Sequence, residues 1–340
     1  MVYCRIEPGG EKINRILAVR NDRFGEFLLT IPAFQRLKAE YPGAKLTLAV
    51  DNCVYELAKR LPFVDELLTW ENRRHRLPEI LKFSRELKKK KYDACLIFNP
   101  SKEFNIISWL AGIPVRAGYD RKCAFLLNRR IEDKKSEGLK HEVEYNLEFL
   151  KTIGIRPELL NNVSLRGRSE ATDEAILMEI KEDDFPLTML AGLGLEDKGF
   201  AVIHPWASNR EKEWPARGFQ EVCRKLATEI KVVVIGGKEE RNRSVEFCRG
   251  LNVIDLTGQT TLLELGGLLK RSRMLLTNDS GPMHLAAILG TPVAAVFRKN
   301  PAGVSAKRWG PVGNRNIVIE NDNIVDITVD EVIDEIKKII

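Results

Sequence analysis

Short apolar runs alternate with amphipathic stretches along most of the chain. In the first half, the apolar runs that predict buried strands are residues 15–20, 45–50, 67–70, 94–98 and 115–118. The stretches whose apolar positions recur with helical spacing are residues 26–40, 54–60, 79–90 and 142–153. Such an alternation favours a parallel sheet with crossover helices.

The second half repeats this pattern more cleanly. Its predicted strands are residues 200–204, 232–235, 252–255, 274–277, 293–297 and a short last one at 317–319. Its predicted helices are residues 216–228, 239–249, 262–270 and 283–289. Between the halves, residues 160–198 are irregular, with one helical segment near residues 173–180.

The predicted fold class is therefore α/β, with two doubly wound, Rossmann-like domains. We place residues 1–165 in the first domain and residues 166–328 in the second. A terminal amphipathic helix at residues 329–340 could pack back on the first domain. Two such domains facing each other would create a cleft, and ligands of open parallel sheets bind beyond the carboxyl ends of the strands.

The composition of the chain limits the classes of protein to which it could belong. The chain is 44% apolar and 30% charged, as in soluble globular proteins. No apolar run approaches the roughly 20 residues of a membrane helix, and no signal peptide is recognisable. Six scattered cysteines without a Cys-x-x-Cys pair predict reduced thiols in a cytoplasmic protein. With four histidines and no ligand spacing, no metal site is predicted.

The net charge of +6 is distributed unevenly. Basic residues crowd residues 73–91, where they outnumber Glu79 and Glu86. The stretch is either a solvated helix face or a surface for an anionic partner, such as acidic lipid headgroups or an anionic saccharide. No nucleic-acid-binding motif is present, so no nucleic-acid partner is predicted.

The first loop with candidate chemistry follows the first predicted strand and covers residues 21–26. It carries two carboxylates, Asp22 and Glu26. Either could cap the following helix, because the helix dipole favours negative charge at its start. Either could instead serve as a general base that accepts the proton of an attacking hydroxyl.

Two loops of the second half offer polar contacts to a nucleotide. The loop after residues 200–204 carries Ser208, Arg210 and Lys212, which could meet phosphate oxygens or form an exposed charged loop anchored by Trp214.

In the loop after residues 232–235, two glycines precede Glu239 and Glu240, and one of these carboxylates could hold ribose hydroxyls. This loop matches neither a Walker A loop nor a complete Gly-x-Gly-x-x-Gly fingerprint, which argues against an NAD-dependent oxidoreductase.

The most informative loop lies between the predicted strand 274–277 and the helix that follows. It carries Asp279, Ser280, Gly281 and His284. Free backbone N–H groups at a helix start suit an anion, although Asp279 or Ser280 could simply cap the helix. No Asp-x-Asp pair is placed to hold a metal on a diphosphate. The protein itself would have to neutralise a leaving group, through Lys212, the helix dipole and backbone donors.

Three motifs, at residues 20–33, 204–215 and 278–287, resemble those of glycosyltransferase family 9, the ADP-heptose:lipopolysaccharide heptosyltransferases. The resemblance covers nearly the full chain. It implies a GT-B fold with the active site in the cleft between two Rossmann-like domains. It also implies inverting, metal-independent transfer of heptose from ADP-heptose to an inner-core lipopolysaccharide acceptor, with no cofactor.

The resemblance also assigns roles to residues. The family's catalytic acid, usually aspartate, falls on Glu26, and Asp22 remains the local competitor for the role of base. Lys212 would contact the donor phosphates, and Trp206 and Arg298 stand where the family usually has glycine. The predicted donor-binding residues are Ser208, Lys212, Glu239, Glu240, Asp279, Ser280, Gly281 and His284.

The implied partners are a nucleotide-sugar donor and an anionic saccharide or glycolipid acceptor. The basic stretch at residues 73–91 would then face the inner-membrane surface, with the protein cytoplasmic or peripheral at the inner face of that membrane. One alternative is a family-9-like transferase with another nucleotide sugar, or with a glycan or protein acceptor. Another is a non-catalytic nucleotide-sugar-binding protein, if Glu26 does not reach an acceptor.

Overall fold

The structure is a computed structural model that describes residues 13–155, 180 and 184–339. These residues form two compact α/β units. The predicted boundary near residue 165 lies outside the described residues, as does the helix predicted at residues 173–180, apart from Ile180. Within the described residues, the first unit comprises 13–136 and 142–155, and the second comprises 137–141, 180 and 184–339.

One short segment, residues 137–141, belongs to the second unit although the sequence prediction placed it in the first domain. Its contacts explain this correction. The Nε2 atom of His141 lies 2.9 Å from the carbonyl oxygen of Gly310. Gly138 has a φ of +62° and packs so closely on Ala302 that a Cβ there would lie 2.2 Å from the Ala302 carbonyl oxygen.

The first unit is built on a parallel sheet whose first five strands appear at nearly the predicted places, whereas its sixth strand was not predicted. Its described strands are β1 (Arg15–Arg20), β2 (Lys45–Val50), β3 (Glu66–Thr69), β4 (Ala94–Ile97), β5 (Val115–Tyr119) and β6 (Arg129–Ile131). They lie in the order β3-β2-β1-β4-β5-β6. In the central register, Ala18 lies opposite Leu48 of β2 and Leu96 of β4.

The helices of the first unit cover both faces of this sheet. The described α-helices are α1 (Phe24–Leu28), α2 (Ile31–Glu40), α3 (Tyr55–Ala58), α4 (Leu77–Lys90), α5 (Lys102–Leu110) and α6 (Glu142–Phe149). The helix predicted at residues 26–40 is thus divided in two. Pro32 lies in the first turn of α2 and has no N–H to continue the hydrogen bonds of α1.

The second unit repeats the topology of the first. Its described strands are β7 (Phe200–His204), β8 (Lys231–Val234), β9 (Ile254–Asp255), β10 (Met274–Asn278), β11 (Val293–Arg298) and β12 (Asn316–Asn321). All described pairs are parallel, in the order β12-β11-β10-β7-β8-β9. Counted from each unit's own first strand, both sheets have the order 3-2-1-4-5-6. The predicted doubly wound α/β architecture is confirmed for each unit.

The helices of the second unit include one whose position differs from the prediction. The described α-helices are α7 (Leu187–Gly192), α8 (Ala216–Leu226), α9 (Arg241–Phe247), α10 (Leu262–Arg271), α11 (Gly281–Ile288), α12 (Ala306–Trp309) and α13 (Val329–Ile336). The terminal helix α13 packs on α8 and β12 of its own unit. The expectation that it packs on the first domain was wrong, because Val332 and Ile336 are buried in the second unit's core. Within the described chain, no helix is long and apolar enough to cross a bilayer.

Candidate active site

The first unit has its topological switch point where β1 and β4 lie side by side, and ligands of doubly wound sheets bind at such points. The segments that leave the two strands are tied together. The Nη1 atom of Arg20 donates a 2.9 Å hydrogen bond to the carbonyl oxygen of Phe98. Asn99 Nδ2 donates to Asn21 Oδ1 at 3.1 Å. These two hydrogen bonds join the segments that follow β1 and β4, and they fix the start of the loop that carries Asp22.

A buried arginine, which sequence reasoning missed, organises this edge. Only 3% of the Arg20 side chain is exposed, and its Nε lies 2.8 Å from Asp22 Oδ1. Its Nη2 lies 3.8 Å from Glu142 Oε1. Burial alone would lower the pKa of Arg20, but the charges of Asp22, Glu142 and Glu26 outweigh it and raise the pKa. Arg20 is therefore a permanent buried cation whose charge Asp22 and Glu142 balance.

Further buried polar side chains connect α6 to the helices that follow β1. Lys135 Nζ donates to Glu142 Oε1 at 2.5 Å and to Asn146 Oδ1 at 3.1 Å. Asn146 Nδ2 in turn donates to the carbonyl oxygen of Leu29 at 3.0 Å. Thr30 Oγ1 donates to the carbonyl oxygen of Glu26 at 2.7 Å. This network fixes the backbone of the helix that presents Glu26.

The two candidate bases have different surroundings. Glu26 is the third residue of α1, and 18% of its side chain is exposed, against 25% for Asp22. Burial raises the pKa of Glu26, the charge of Asp22 raises it further, and the charge of Arg20 opposes both. Asp22 already forms a close ion pair with Arg20. Glu26 therefore has a higher affinity for a proton than an ordinary glutamate, as suits a general base.

The second unit has the same switch point, between β7 and β10. Asn278, the last residue of β10, is fully buried and joins the two loops there. Its Nδ2 donates to the Pro205 carbonyl oxygen at 2.9 Å, and its Oδ1 accepts from Trp214 N at 2.9 Å. The Trp214 indole is buried and donates to the Ile327 carbonyl oxygen at 2.9 Å, so it anchors the loop.

This arrangement brings together two predicted residues from different loops. Lys212 Nζ lies 2.6 Å from Asp279 Oδ2, and the two side chains are 20% and 9% exposed. The Lys212 ammonium also lies 6.0 Å from the ring centre of Trp309. Trp309 belongs to none of the sequence motifs, so sequence reasoning missed it. The structure thus holds a cation beside the start of α11.

The start of α11 differs from a side-chain-capped helix. Ser280 occupies the N-cap position, but its hydroxyl lies 2.9 Å from Thr277 Oγ1 and makes no capping bond to the described first turn. Gly281 begins the helix. Among the described contacts the Ser280 side chain does not cap the helix, unlike one of the two caps considered, and the backbone N–H groups of Ser280 and Gly281 lie at the helix start. Backbone donors of this kind, together with the helix dipole, suit a phosphate.

His284 lies one turn into α11 and is only 3% exposed. Its Nδ1 has no hydrogen-bond partner among the described residues. Burial lowers its pKa to about 3, with smaller contributions from the charges of His141 and Lys212. The imidazole is therefore neutral near pH 7, and a buried ring nitrogen without a protein partner suits a bound ligand.

The remaining predicted donor residues occupy more exposed positions. Ser208 and Glu239 are exposed, whereas Glu240 accepts a 2.7 Å hydrogen bond from Gly237 N. A Cβ at Gly236 would lie 2.6 Å from Trp206 Nε1, so this glycine permits the packing of the buried Trp206. Among the described residues, no group of three or more His, Cys, Asp or Glu side chains could hold a metal ion.

His204, at the end of β7, leads to a prediction about stability. Burial lowers its pKa to about 3. An unfolded histidine, with a pKa of about 6.5, gains a proton that the folded one does not, so folding stability is lost as pH falls below about 6.5. Between about pH 6.5 and 5 the loss from this residue is about 2 kcal/mol. We expect His204→Gln to reduce the pH dependence of the unfolding free energy by that amount in urea titrations. An identical acid-induced loss in parent and variant would rule out this role.

Two Rossmann-like units with this strand order, and with charged and anion-suited groups at both switch points, define a GT-B protein of the α/β class. The model of glycosyltransferase family 9 (heptosyltransferase) matches residues 80–334. The chain belongs to glycosyltransferase family 9. The family, the fold class and the classification as an enzyme that were predicted from the sequence are confirmed.

Similar proteins agree with this assignment. Lipopolysaccharide heptosyltransferase 2 of Escherichia coli is 24% identical over 295 residues, which cover 83% of this chain and 82% of the relative. The solved structure of Escherichia coli ADP-heptose LPS heptosyltransferase II has a TM-score of 0.78 at 23% identity, covering 96% of this chain and 98% of that one. A family 9 glycosyltransferase from Veillonella parvula has a TM-score of 0.81 at 20% identity, covering 96% and 97%.

Proposed function

We propose that the protein transfers heptose from ADP-heptose to an inner-core lipopolysaccharide acceptor, with inversion and without a metal or other cofactor. The observation that carries the proposal is the Lys212–Asp279 pair beside the start of α11, which the Ser280 side chain does not cap. The Lys212 ammonium and the backbone N–H groups at the helix start can both donate hydrogen bonds to a diphosphate. Relatives that align over most of the chain are named as lipopolysaccharide heptosyltransferases, which supports the choice of donor and acceptor.

On the acceptor side, Glu26 acts as the general base. Its carboxylate takes the proton of an acceptor hydroxyl while that oxygen attacks the anomeric carbon of the donor sugar. The bond between this carbon and the donor phosphate oxygen breaks, and ADP leaves with the electron pair. A single displacement of this kind inverts the anomeric carbon. Asp22 keeps Arg20 neutralised and raises the pKa of Glu26.

On the donor side, charge develops on the leaving diphosphate. Lys212 and the N–H groups at Ser280 and Gly281 stabilise that charge, and His284 contacts the same ligand through its buried ring. Ser208 offers a further hydroxyl to the phosphates. Of the two candidate ribose acids we favour Glu239, because Glu240 already accepts a hydrogen bond from Gly237 N.

We place the reaction in the cytoplasm, at the inner face of the inner membrane. Every described cysteine is a free thiol, as a reducing compartment requires. The acceptor partner is an anionic saccharide or glycolipid.

A panel of nucleotide sugars tests the proposed donor. We expect purified protein to convert ADP-heptose to ADP when a heptose-deficient inner-core acceptor is present, with mass spectrometry showing an acceptor heavier by one heptose. Omitting the acceptor is the control, and chelator should leave the rate unchanged. Transfer from a different nucleotide sugar alone would reject the donor assignment and favour the alternative of another substrate within the family. Donor binding without turnover against all acceptors would favour a binding protein.

A further inference from the structure

A bidentate ion pair joins the loop that carries Lys212 to helix α9 of the same unit. We call this loop, residues 205–215, the lysine loop. Arg243 of α9 donates to both carboxylate oxygens of Glu213, from Nη1 at 3.1 Å and from Nη2 at 2.6 Å. A paired geometry of this kind fixes orientation as well as distance. Since Glu213 follows Lys212 directly, the pair fixes the chain next to the lysine.

The Glu213 carboxylate also closes the lysine loop on itself. Its Oε1 accepts a 3.0 Å hydrogen bond from the backbone N–H of Ala207, six residues earlier. Only 12% of the Glu213 side chain is exposed, so its charge is poorly solvated and needs the Arg243 guanidinium as a partner. Without Arg243, the carboxylate would turn toward water and release Ala207. The arginine thus keeps the loop closed.

Arg243 makes a second contact with the lysine loop, at the indole of Trp206. The guanidinium carbon lies 4.6 Å from the ring centre, within the range of a cation–π interaction. Trp206 is buried, yet its Nε1 has no hydrogen-bond partner among the described residues. Its position therefore depends on packing, to which Arg243 and the ring of Phe247, 5.5 Å away, both contribute. One arginine thus contacts both ends of the loop.

The segment around Lys212 is held from two sides. On the β10 side, Trp214 N donates to Asn278 Oδ1 at 2.9 Å, and Lys212 Nζ lies 2.6 Å from Asp279 Oδ2. On the α9 side, Arg243 makes the charged contact. Its side chain is 35% exposed, and ion pairs at such positions contribute little to folding stability. Orientation of the loop, rather than stability of the fold, is therefore what this pair provides.

We propose that Arg243 is a positioning residue for sugar transfer, which acts through Glu213 to hold Lys212 at the donor diphosphate. The inference rests on the proposed function, because it gives Arg243 a part in stabilising the leaving group. Charges in an active site are effective when they are oriented before the reaction begins. A displacement of roughly 1 Å can lower a rate by about 100-fold. Arg243 thus acts through the lysine loop rather than by contact with the reacting atoms.

A double-mutant cycle with Lys212 tests the inference in the full-length protein. With ADP-heptose and a heptose-deficient inner-core acceptor, we expect Arg243→Met to lower the single-turnover rate about 10- to 30-fold. The unfolding temperature should change little. Arg243→Lys should recover part of the rate, since an ammonium keeps the charge but cannot form the bidentate pair. In the Lys212→Met background, Arg243→Met should have no further effect, because the group that it positions is gone.

A matched control removes an arginine from another partly buried ion pair. Arg36 pairs with Glu40 on α2 at 2.9 Å, and 22% of the Arg36 side chain is exposed. Arg36→Met should keep the parent rate. Equal rates of Arg243→Met and Arg36→Met would overturn the inference, as would losses that multiply in the double variant with Lys212→Met.

Hydrogen–deuterium exchange separates a failure of this inference from a failure of the proposed reaction. The backbone of residues 205–215 should exchange faster in Arg243→Met than in the parent or in Arg36→Met, because the bond from Ala207 N to Glu213 is weakened. Unchanged exchange in this loop would overturn the inference whether or not sugar is transferred. Faster exchange in the variant, with a parent that transfers no sugar, would reject the proposed reaction and leave the hold of Arg243 on the loop standing.

Discussion

We expect the Glu26→Gln variant to transfer sugar roughly 100- to 10,000-fold more slowly than the parent, the range that loss of a general base produces. The amide keeps the size of the side chain but cannot take the acceptor proton. The Thr30 hydrogen bond to the Glu26 backbone carbonyl is retained, so the fold of α1 should persist. Initial rates at saturating donor and acceptor, with thermal unfolding as a check of folding, measure the effect.

The pH dependence of the parent and an Asp22→Asn variant separates the two candidate bases. Burial and the charge of Asp22 raise the pKa of Glu26, so the parent rate should fall with decreasing pH already above the ordinary range of glutamate. Removing the Asp22 charge lowers the pKa of Glu26, and the unbalanced Arg20 charge lowers it further. The acid limb of the Asp22→Asn profile should therefore move to lower pH, with transfer retained.

A distant carboxylate supplies the control for charge removal. Glu40 pairs with Arg36 on α2, at 2.9 Å, and Glu40→Gln should leave the rate unchanged. If Glu26→Gln proved as active as Glu40→Gln while Asp22→Asn lost transfer altogether, Asp22 would be the base and the assignment of Glu26 would be wrong.

Local sequence patterns were sufficient for the architecture of each unit but not for its details. Runs such as residues 15–20 and 274–277 are apolar because both faces of a parallel strand are covered, and this signal is strong. The short strand β6 has the sequence Arg-Arg-Ile and lacks any apolar run. Helix α5 was not predicted, because its apolar residues continue directly into those that precede β5. The helical period is therefore not recognisable in this stretch. The helix predicted at residues 26–40 is divided near Pro32. The missing N–H of proline indicates such a break, but the prediction did not include it.

The candidate site shows the same limit more sharply. Each of Glu26, Lys212 and Asp279 follows a strand. Topology alone therefore predicts that each lies at the edge of its sheet formed by the carboxyl ends of the strands. Arg20 was missed because its role depends on an ion pair with Glu142. Glu142 lies far along the chain, and no local spacing reveals the pairing. The place of Arg20 directly after the apolar run 16–19 was the available signal, since a buried charge needs partners. Likewise, the bond between Asn146 and Leu29 spans 117 positions. Long-range polar pairing therefore sets the surroundings of the two neighbouring carboxylates, Asp22 and Glu26.

The donor side gives the second large effect, because Lys212 faces charge that grows as the sugar–phosphate bond breaks. We expect Lys212→Met to lower the turnover number roughly 100- to 1,000-fold, the usual loss when one charge-stabilising donor is removed. The donor dissociation constant should rise much less, since the leaving diphosphate carries more charge in the transition state than in the bound donor. Single-turnover rates and calorimetric titration with a non-transferable donor analogue separate the two quantities.

The structure offers a matched lysine to show that the effect is local. Lys225 forms a 2.7 Å ion pair with Asp330, much as Lys212 pairs with Asp279 at 2.6 Å, but it lies at an exposed position on α8. Lys225→Met should therefore keep the parent turnover. Asp279→Asn should fall between the two variants, because Lys212 keeps its charge but loses the carboxylate that holds it beside the start of α11. Equal turnover of Lys212→Met and Lys225→Met would show that the backbone donors at Ser280 and Gly281 suffice for the leaving group, and that Lys212 only braces the loop.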